Sequence, residues 1–112
     1  MSLPRLNRRL SLQAPEIVPD GAGGFSQTWQ TLGTLWGEVT PRTGREVAIN
    51  GAPVSAVSYK ITVRGAPADS RRRPQPQHRL RDGARIFKVR AVTERDPNGF
   101  YLTCYADEEV IA

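Results

Sequence analysis

The sequence predicts a small all-β domain, and three observations lead to this fold class. Segments in which apolar and polar residues alternate recur along the 112 residues, which is the pattern of half-buried strands. Glycine and proline together supply 19 residues and separate these segments, as turn residues do. No segment keeps a helical period for more than one or two turns. A chain of this length is expected to form a single domain, residues 1–112, that closes into a barrel or a two-sheet sandwich.

The first two strands are predicted on either side of a glycine-rich turn at residues 20–24. Residues 5–14 alternate apolar and polar side chains up to Pro15, which is expected to end the strand. Residues 25–40 form a second long strand or two strands, because Gly33 interrupts the run and suggests a bulge or a sharp bend.

The remaining strands follow the same alternation. Residues 54–64 give the clearest pattern, with one face buried and the other in water. Residues 78–81 and 84–92 are predicted as a hairpin joined by Asp82-Gly83, a dipeptide that favours a type I′ turn. A last strand is predicted at residues 100–105, which makes about six strands in all.

Two segments without periodicity are predicted as long loops. Residues 41–53 contain proline, glycine and charged residues, and a loop is favoured there over a short helical turn at residues 45–49. Residues 65–77 are too rich in proline and polar side chains to pack. Loops of this length in a small domain are usually functional or disordered.

The large apolar side chains of the strands are expected to form one core. Aromatic side chains bury the most apolar area per residue, so a small domain packs its core around them. The predicted core residues are Trp29, Trp36, Tyr59, Ile61, Phe87 and Val89.

The sequence contains no evident catalytic, metal or cofactor site. His78 is the only histidine, and no nucleophile stands near it in a pattern that a catalytic site requires. The glycines at 21–24 precede a strand, whereas a phosphate-binding loop precedes a helix. Cys104 is the only cysteine, so it has no disulfide partner and is expected to be a buried structural thiol. We expect a protein without enzymatic activity, cofactor, metal ion or membrane-spanning segment.

The net charge of +5 is spread unevenly along the chain. The net charge is +2 for residues 1–63, +7 for residues 64–90 and −4 for residues 91–112. A basic middle segment fits nucleic-acid binding, because arginines can contact phosphates without reading the base sequence. A basic segment beside an acidic one fits head-to-tail pairing between copies in a ring equally well. Charge alone leaves both interpretations open.

An ordered set of motifs covering about residues 5–107 resembles a known family. The motifs are Asp20-Gly21, Trp29, Leu35-Trp36-Gly37-Glu38-Val39, Gly44-Arg45-Glu46, Tyr59–Arg64, Arg79–Gly83, Arg85–Val89 and Leu102–Cys104. In this order and spacing they resemble the head–tail joining proteins of long-tailed phages and phage-like particles, also called head-completion or stopper proteins. One departure from the family pattern is the Arg-Arg-Arg-Pro-Gln-Pro insert at residues 71–76.

The resemblance implies a fold and a function together. The implied fold is a small antiparallel β-barrel of about six strands with two long loops, assembled as a homo-oligomeric ring of six copies. The ring would lie below the portal and adaptor of a virion or phage-like particle assembled in the host cytoplasm. It would complete the head, help retain the packaged DNA and provide the surface on which the tail docks. The implied partners are the portal or adaptor ring, the tail terminator or tail tube, and double-stranded DNA in the lumen.

The resemblance also implies two candidate interface regions in the predicted loops. In the first loop, which would project toward the channel or a neighbouring subunit, the residues are Arg42, Thr43, Gly44, Arg45, Glu46, Val47, Ile49 and Asn50. In the second loop, Arg71, Arg72 and Arg73 would face DNA or a neighbour. We further expect the basic segment 64–90 to meet the acidic segment 91–112 of another copy or an acidic neighbouring ring. Two alternatives stay open: a small basic nucleic-acid-binding β-barrel, and a tail-terminator or tail-tube component.

Overall fold

The protein is a closed six-stranded antiparallel barrel. A computed structural model describes the backbone of residues 3–49 and 52–109. It describes their side chains as well, except for residues 43–56. The strands are β1 (Arg8–Pro19), β2 (Phe25–Ile49), β3 (Ala52–Arg64), β4 (Arg79–Asp82), β5 (Arg85–Glu94) and β6 (Tyr101–Glu108). Their spatial order is β1-β2-β3-β6-β5-β4, and pairing of β4 with β1 closes the sheet. The predicted all-β barrel class is confirmed.

β2 organises the sheet because it pairs with β1 along its first half and with β3 along its second half. If straight, its 25 residues would span roughly 80 Å at about 3.3 Å per residue, whereas the longest dimension of the molecule is 51 Å. β2 therefore bends. The pairing register of β2 shifts at two bulges. Leu32, beside Gly33, has no paired residue on β1, and Arg42 has no paired residue on β3. The irregularity that Gly33 predicted is present.

Two hairpins extend beyond the barrel from the two ends of β2. Arm 1 comprises residues 14–30 and continues past the β1 residues that pair with β4. Arm 2 comprises residues 43–49 and 52–57 and continues past the pair Ser58–Asp107, where the pairing of β3 with β6 begins.

The predicted end of the first strand at Pro15 is wrong, since β1 runs on to Pro19. A proline lacks the backbone N–H that a central strand needs, but an edge strand leaves that position unpaired on its outer side. In arm 1, β1 has only β2 as a neighbour, so the prolines are tolerated there.

The predicted loop at residues 41–53 is also wrong over the described residues. Backbone pairing continues from Thr43–Ser58 out to Ile49–Ala52. Proline and glycine in this segment interrupt the alternation by which a strand is predicted. The hairpin forms nevertheless, because its backbone hydrogen bonds are made whatever the side chains are.

The barrel interior is filled mainly by aliphatic side chains around one aromatic ring. The buried cluster consists of Leu10, Leu12, Ile61, Val63, Leu80, Phe87, Val89, Leu102, Cys104 and Ala106. Three of the predicted core residues, Ile61, Phe87 and Val89, belong to it. Tyr59 packs against it, with its ring edge-on to Phe87 at a centroid distance of 5.0 Å.

The prediction that both tryptophans lie in the core is wrong. Trp36 is 54% exposed, and Trp29 is half-buried on arm 1. Trp36 alternates with Leu35 and Gly37, which face inward, so its own side chain must face outward. The inward position at Gly37 has no room for a larger residue, because a Cβ there would lie 2.9 Å from a Leu10 methyl carbon.

Two segments after β3 differ in part from their predictions: the β4–β5 turn and the loop at residues 65–77. The β4–β5 turn is Gly83-Ala84 and not Asp82-Gly83, since Asp82 still pairs with Arg85. Gly83 has a φ of +62° and Ala84 does not have a positive φ, which is the sign pattern of a type II′ turn. Residues 65–77 do connect β3 and β4 without strands, but Pro74 is fully buried, so the loop packs on the barrel.

An ion pair joins the start of β5 to the end of β6 over the ring of Phe87. The guanidinium of Arg85 donates from Nε and Nη2 to the two carboxylate oxygens of Glu108, at 2.8 and 3.1 Å. The Tyr59 hydroxyl donates to the same carboxylate at 3.1 Å. The hydrogen bonds from Arg85 lower the pKa of Glu108, and the carboxylate in turn raises the pKa of Arg85.

We expect Glu108→Gln to destabilise the barrel in a pH-dependent way. The folded-state pKa of Glu108 lies below its ordinary value of 4.5, so the stabilisation is present above that pH and is lost as the pH falls through the folded-state pKa. Since both side chains are partly exposed, the loss at neutral pH should be about 1 kcal/mol. Thermal melts of both proteins across pH should converge in acid. The control is Glu16→Gln, at an exposed residue of arm 1; a gap that persists undiminished at low pH would contradict the assignment.

We expect Gly65→Ala to be strongly destabilising, whereas Gly33→Ala should be nearly neutral. A Cβ at Gly65 would overlap the carbonyl oxygen of Gly99, next to the 2.7 Å backbone hydrogen bond from Gly65 to Phe100. A Cβ at Gly33 would meet nothing within 4 Å. Backbone overlap of this kind costs about 2–4 kcal/mol, which denaturant titration of the two variants measures. Equal stabilities would show that the β3 and β6 ends do not approach as described.

Candidate assembly surfaces

Arm 1 carries an apolar face that extends away from the barrel. Cross-strand pairing places Pro15 opposite Trp29 and Pro19 opposite Phe25, with Ile17 between the two prolines on the same face. Ile17 is 64% exposed and Phe25 is 72% exposed. The opposite face carries polar side chains such as Glu16 and Thr28.

Only the root of this face is covered within the described chain. The guanidinium of Arg79 on β4 stacks on the ring of Trp29 at 4.1 Å from its centre and donates from Nε to Gln13 at 2.6 Å. Toward the tip, the side chain of Asp20 accepts hydrogen bonds from the backbone N–H groups of Ala22 and Gly24 and so holds the turn. These hydrogen bonds lower the pKa of Asp20 and keep it charged. Arm 1 is therefore a hairpin with a hydrogen-bonded turn and exposed apolar side chains near its tip.

A groove lies along one edge of β2, where that edge does not pair with another strand. β3 ends its pairing at Gly37, so the preceding part of β2 has β1 on one side and the β3–β4 loop on the other. Arg72 from that loop donates to the Thr34 carbonyl oxygen at 3.3 Å. The groove, called here the β2-edge groove, is lined by Leu35, Trp36, Arg64, Gly65, Ala66 and Arg72.

Arg42, the first residue of the predicted loop site, lies at the root of arm 2 in a cluster with β6. Its guanidinium lies over the Tyr105 ring, 4.9 Å from the centroid. Arg90, at the register shift of β5, pairs with Asp107 at 3.2 Å, and Ser58 donates to the same carboxylate at 3.1 Å. Each of these two arginines is therefore the extra residue of a bulge, and a bulge changes the direction in which side chains point relative to the regular alternation of the strand.

The structure keeps the two predicted interface regions separate. Thr43, Gly44, Arg45, Glu46, Val47 and Ile49 lie in the β2 strand of arm 2, and Asn50 lies outside the described residues. Arg71 is exposed on the β3–β4 loop. Its neighbours Arg72 and Arg73 donate to carbonyl oxygens of their own chain, Thr34 and Ala66, and help to fix the loop.

Some charged residues of the basic and acidic segments form ion pairs with each other within one chain. Arg85 pairs with Glu108 and Arg90 pairs with Asp107, and each pair joins the segment 64–90 to the segment 91–112. These four residues therefore already have partners within their own chain, and the meeting of the two segments between copies stays a prediction.

The titratable groups of the described residues do not form a reactive centre. Burial raises the pKa of the Cys104 thiol to about 12, so the reactive thiolate is disfavoured. Burial also lowers the pKa of His78, whose Nδ1 accepts a hydrogen bond from the Gln75 backbone. Within residues 3–49 and 52–109, no group of three potential metal ligands comes together, and no helix has the length and apolar character to span a membrane.

Arm 1 and the β2-edge groove are not predicted by the sequence. Alternation does continue through Pro15, Ile17 and Pro19, but prolines ordinarily predict the end of a strand. The groove has no sequence pattern, since it joins β2 to a loop that follows about thirty residues later in the chain.

Known proteins match this chain over nearly its whole length. The family of phage head completion proteins matches residues 1–109. A chain of the virion of a native gene transfer agent particle is 49% identical, with 98% of this chain and all of that chain covered and a TM-score of 0.86. The solution structure of protein SF1141 from Shigella flexneri 2a is 21% identical, with both chains fully covered and a TM-score of 0.69, and this likeness supports the fold alone. None of the curated proteins matches.

The family match includes every strand of the barrel and both arms. It also includes the motifs from Asp20 to Cys104 on which the resemblance was based. The chain belongs to the phage head completion protein family.

Proposed function

We propose that this protein is a structural head–tail connector of a phage or phage-like particle. In this role it forms a ring of six copies below the portal and adaptor, helps to retain the packaged DNA and presents the surface on which the tail terminator or tail tube docks. It performs no catalysis. The observation that carries the proposal is the 49% identity, over 98% of the chain, to a component of a gene transfer agent virion.

The shape of the molecule supports an assembly role. A two-stranded hairpin is only marginally stable alone in water, and this barrel carries two such hairpins at opposite ends of one strand. Arms of this kind gain order when a partner supplies the contacts that the small barrel core does not. A ring component flanked by a head-side ring and a tail-side ring has partners available for both arms.

Arm 2 is the best candidate for the projection that reaches the channel or the next ring. It contains the interface residues expected from the family resemblance, Thr43–Ile49, and its root is held by Arg42 on Tyr105. Either Arg42 and Arg45 of this region, or the exposed Arg71 of the β3–β4 loop, would line the lumen near the DNA, where arginines interact with phosphates without sequence preference.

Particles produced without this chain should show separate heads and tails, with DNA lost from the heads. The measurement is electron microscopy of the particles together with quantification of packaged DNA, and the control restores the wild-type chain from a second copy. Normal tailed, DNA-filled particles would reject the connector role. Salt-sensitive binding of the free protein to DNA, combined with that result, would favour a small nucleic-acid-binding barrel instead.

Shortening arm 2 should leave a folded protein that cannot complete the particle. Replacing residues 46–55 by Asn-Gly keeps the pair Arg45–Ala56 and closes it with a two-residue hairpin turn. We expect the melting temperature to change by only a few degrees, because no residue of the buried core is removed. Particles carrying only this variant should fail in DNA retention or tail joining. Normal tailed particles would remove arm 2 from the mechanism.

A further inference from the structure

We propose that the apolar tip of arm 1 docks into the β2-edge groove of the next copy of this chain. The inference rests on the proposed ring and names the contact that would join its subunits. Each copy has one arm and one groove on different parts of its surface, so the contact is heterologous. A heterologous contact repeated by rotation closes into a ring.

The first argument is apolar complementarity. Ile17 and Phe25 are large, more than 60% exposed and on one face of the arm. The groove presents Trp36, itself 54% exposed, beside Leu35 and Ala66. Covering such side chains lowers the free energy of the system, and clustered exposed apolar groups typically mark a protein interface.

The second argument is charge complementarity. From Leu10 to Pro41 the chain contains no lysine or arginine but three acidic residues, Glu16, Asp20 and Glu38. Two of these acids lie on arm 1: Asp20 at the turn beside Pro19, and Glu16 on the face opposite the apolar residues. The groove is flanked by basic side chains, Arg64 and Arg72 on its wall and Arg71 and Arg73 on the same loop. An acidic arm approaching a basic groove is steered and oriented, whereas two arms or two grooves repel one another.

The third argument is that an arm does not reach the groove of its own chain. Arm 1 extends beyond the β1 residues that pair with β4, while the groove lies further along β2 at Leu35 and Trp36. The exposure of Ile17 and Phe25 shows that their own barrel leaves them open to solvent. A second copy supplies the missing surface with the right polarity and charge.

The contact can be tested by cross-linking in assembled particles. The variant carries Gln27→Cys on the apolar face of the arm and Ala66→Cys in the groove, so that the proposed anchor residues stay intact. The native Cys104 is fully buried and does not compete for the reagent. A short bismaleimide should produce a ladder from dimer up to the full ring, while either single substitution alone should not.

A matched control moves the arm thiol by one residue to the opposite face. The pair Thr28→Cys with Ala66→Cys should give a yield at least about tenfold lower, and adding Ile17→Asp to the Gln27 pair should reduce the ladder similarly. Thermal melts of each variant check that the barrel is folded.

The outcomes separate this inference from the function on which it rests. Equal yields from both faces, no ladder in particles that contain the chain, or cross-links only to a different particle protein would overturn the arm–groove contact and leave the connector role standing. Particles that never contain the chain would refute the connector role and this contact together.

Discussion

The narrow seam between β1 and β4 is the constraint on which the rest of the structure depends. Only three residue pairs, from Ser11–Arg81 to Gln13–Arg79, close the barrel there. A side-chain contact reinforces each end of the seam: Arg8 pairs with Asp82 at 2.6 Å, and Arg79 bonds Gln13 at 2.6 Å. Closure removes the exposed strand edges that an open sheet would present and encloses the apolar core. Arg79 also stacks on Trp29, so the same seam supports the root of arm 1.

The division of β2 between the barrel and two arms explains how so small a core can serve a larger assembly. The middle of β2 contributes Leu35 and Val39 to the core, while its ends run out into hairpins that the core does not cover. Bulges at Leu32 and Arg42 mark the two transitions. The buried core and the exposed arms thereby use different lengths of one strand, which suits the assembly role proposed for the arms.

The charges are divided in a similar way. Arg85 and Arg90 form ion pairs within the chain that join β5 to the acidic end of β6. The arginines of the β3–β4 loop stand on the surface next to the β2-edge groove, and the arm that bears no basic residue stands elsewhere. A net positive chain can therefore present surfaces of opposite charge, which favours head-to-tail pairing between copies more than a uniformly basic surface would.

The sequence by itself determined the all-β class, most of the strands and the family. Alternation placed Ile61, Phe87 and Val89 on inward faces, and Gly33 marked an irregularity of β2, because period and backbone freedom are local properties that residue order records. Only the tertiary structure decided that Trp36 faces outward, that arm 2 is a hairpin and that Arg85 meets Glu108. These outcomes depend on which strands become neighbours when the barrel closes, and those neighbours come from distant parts of the chain. The physical reason is that burial and strand pairing are settled by the closed sheet as a whole, whereas alternation is settled residue by residue.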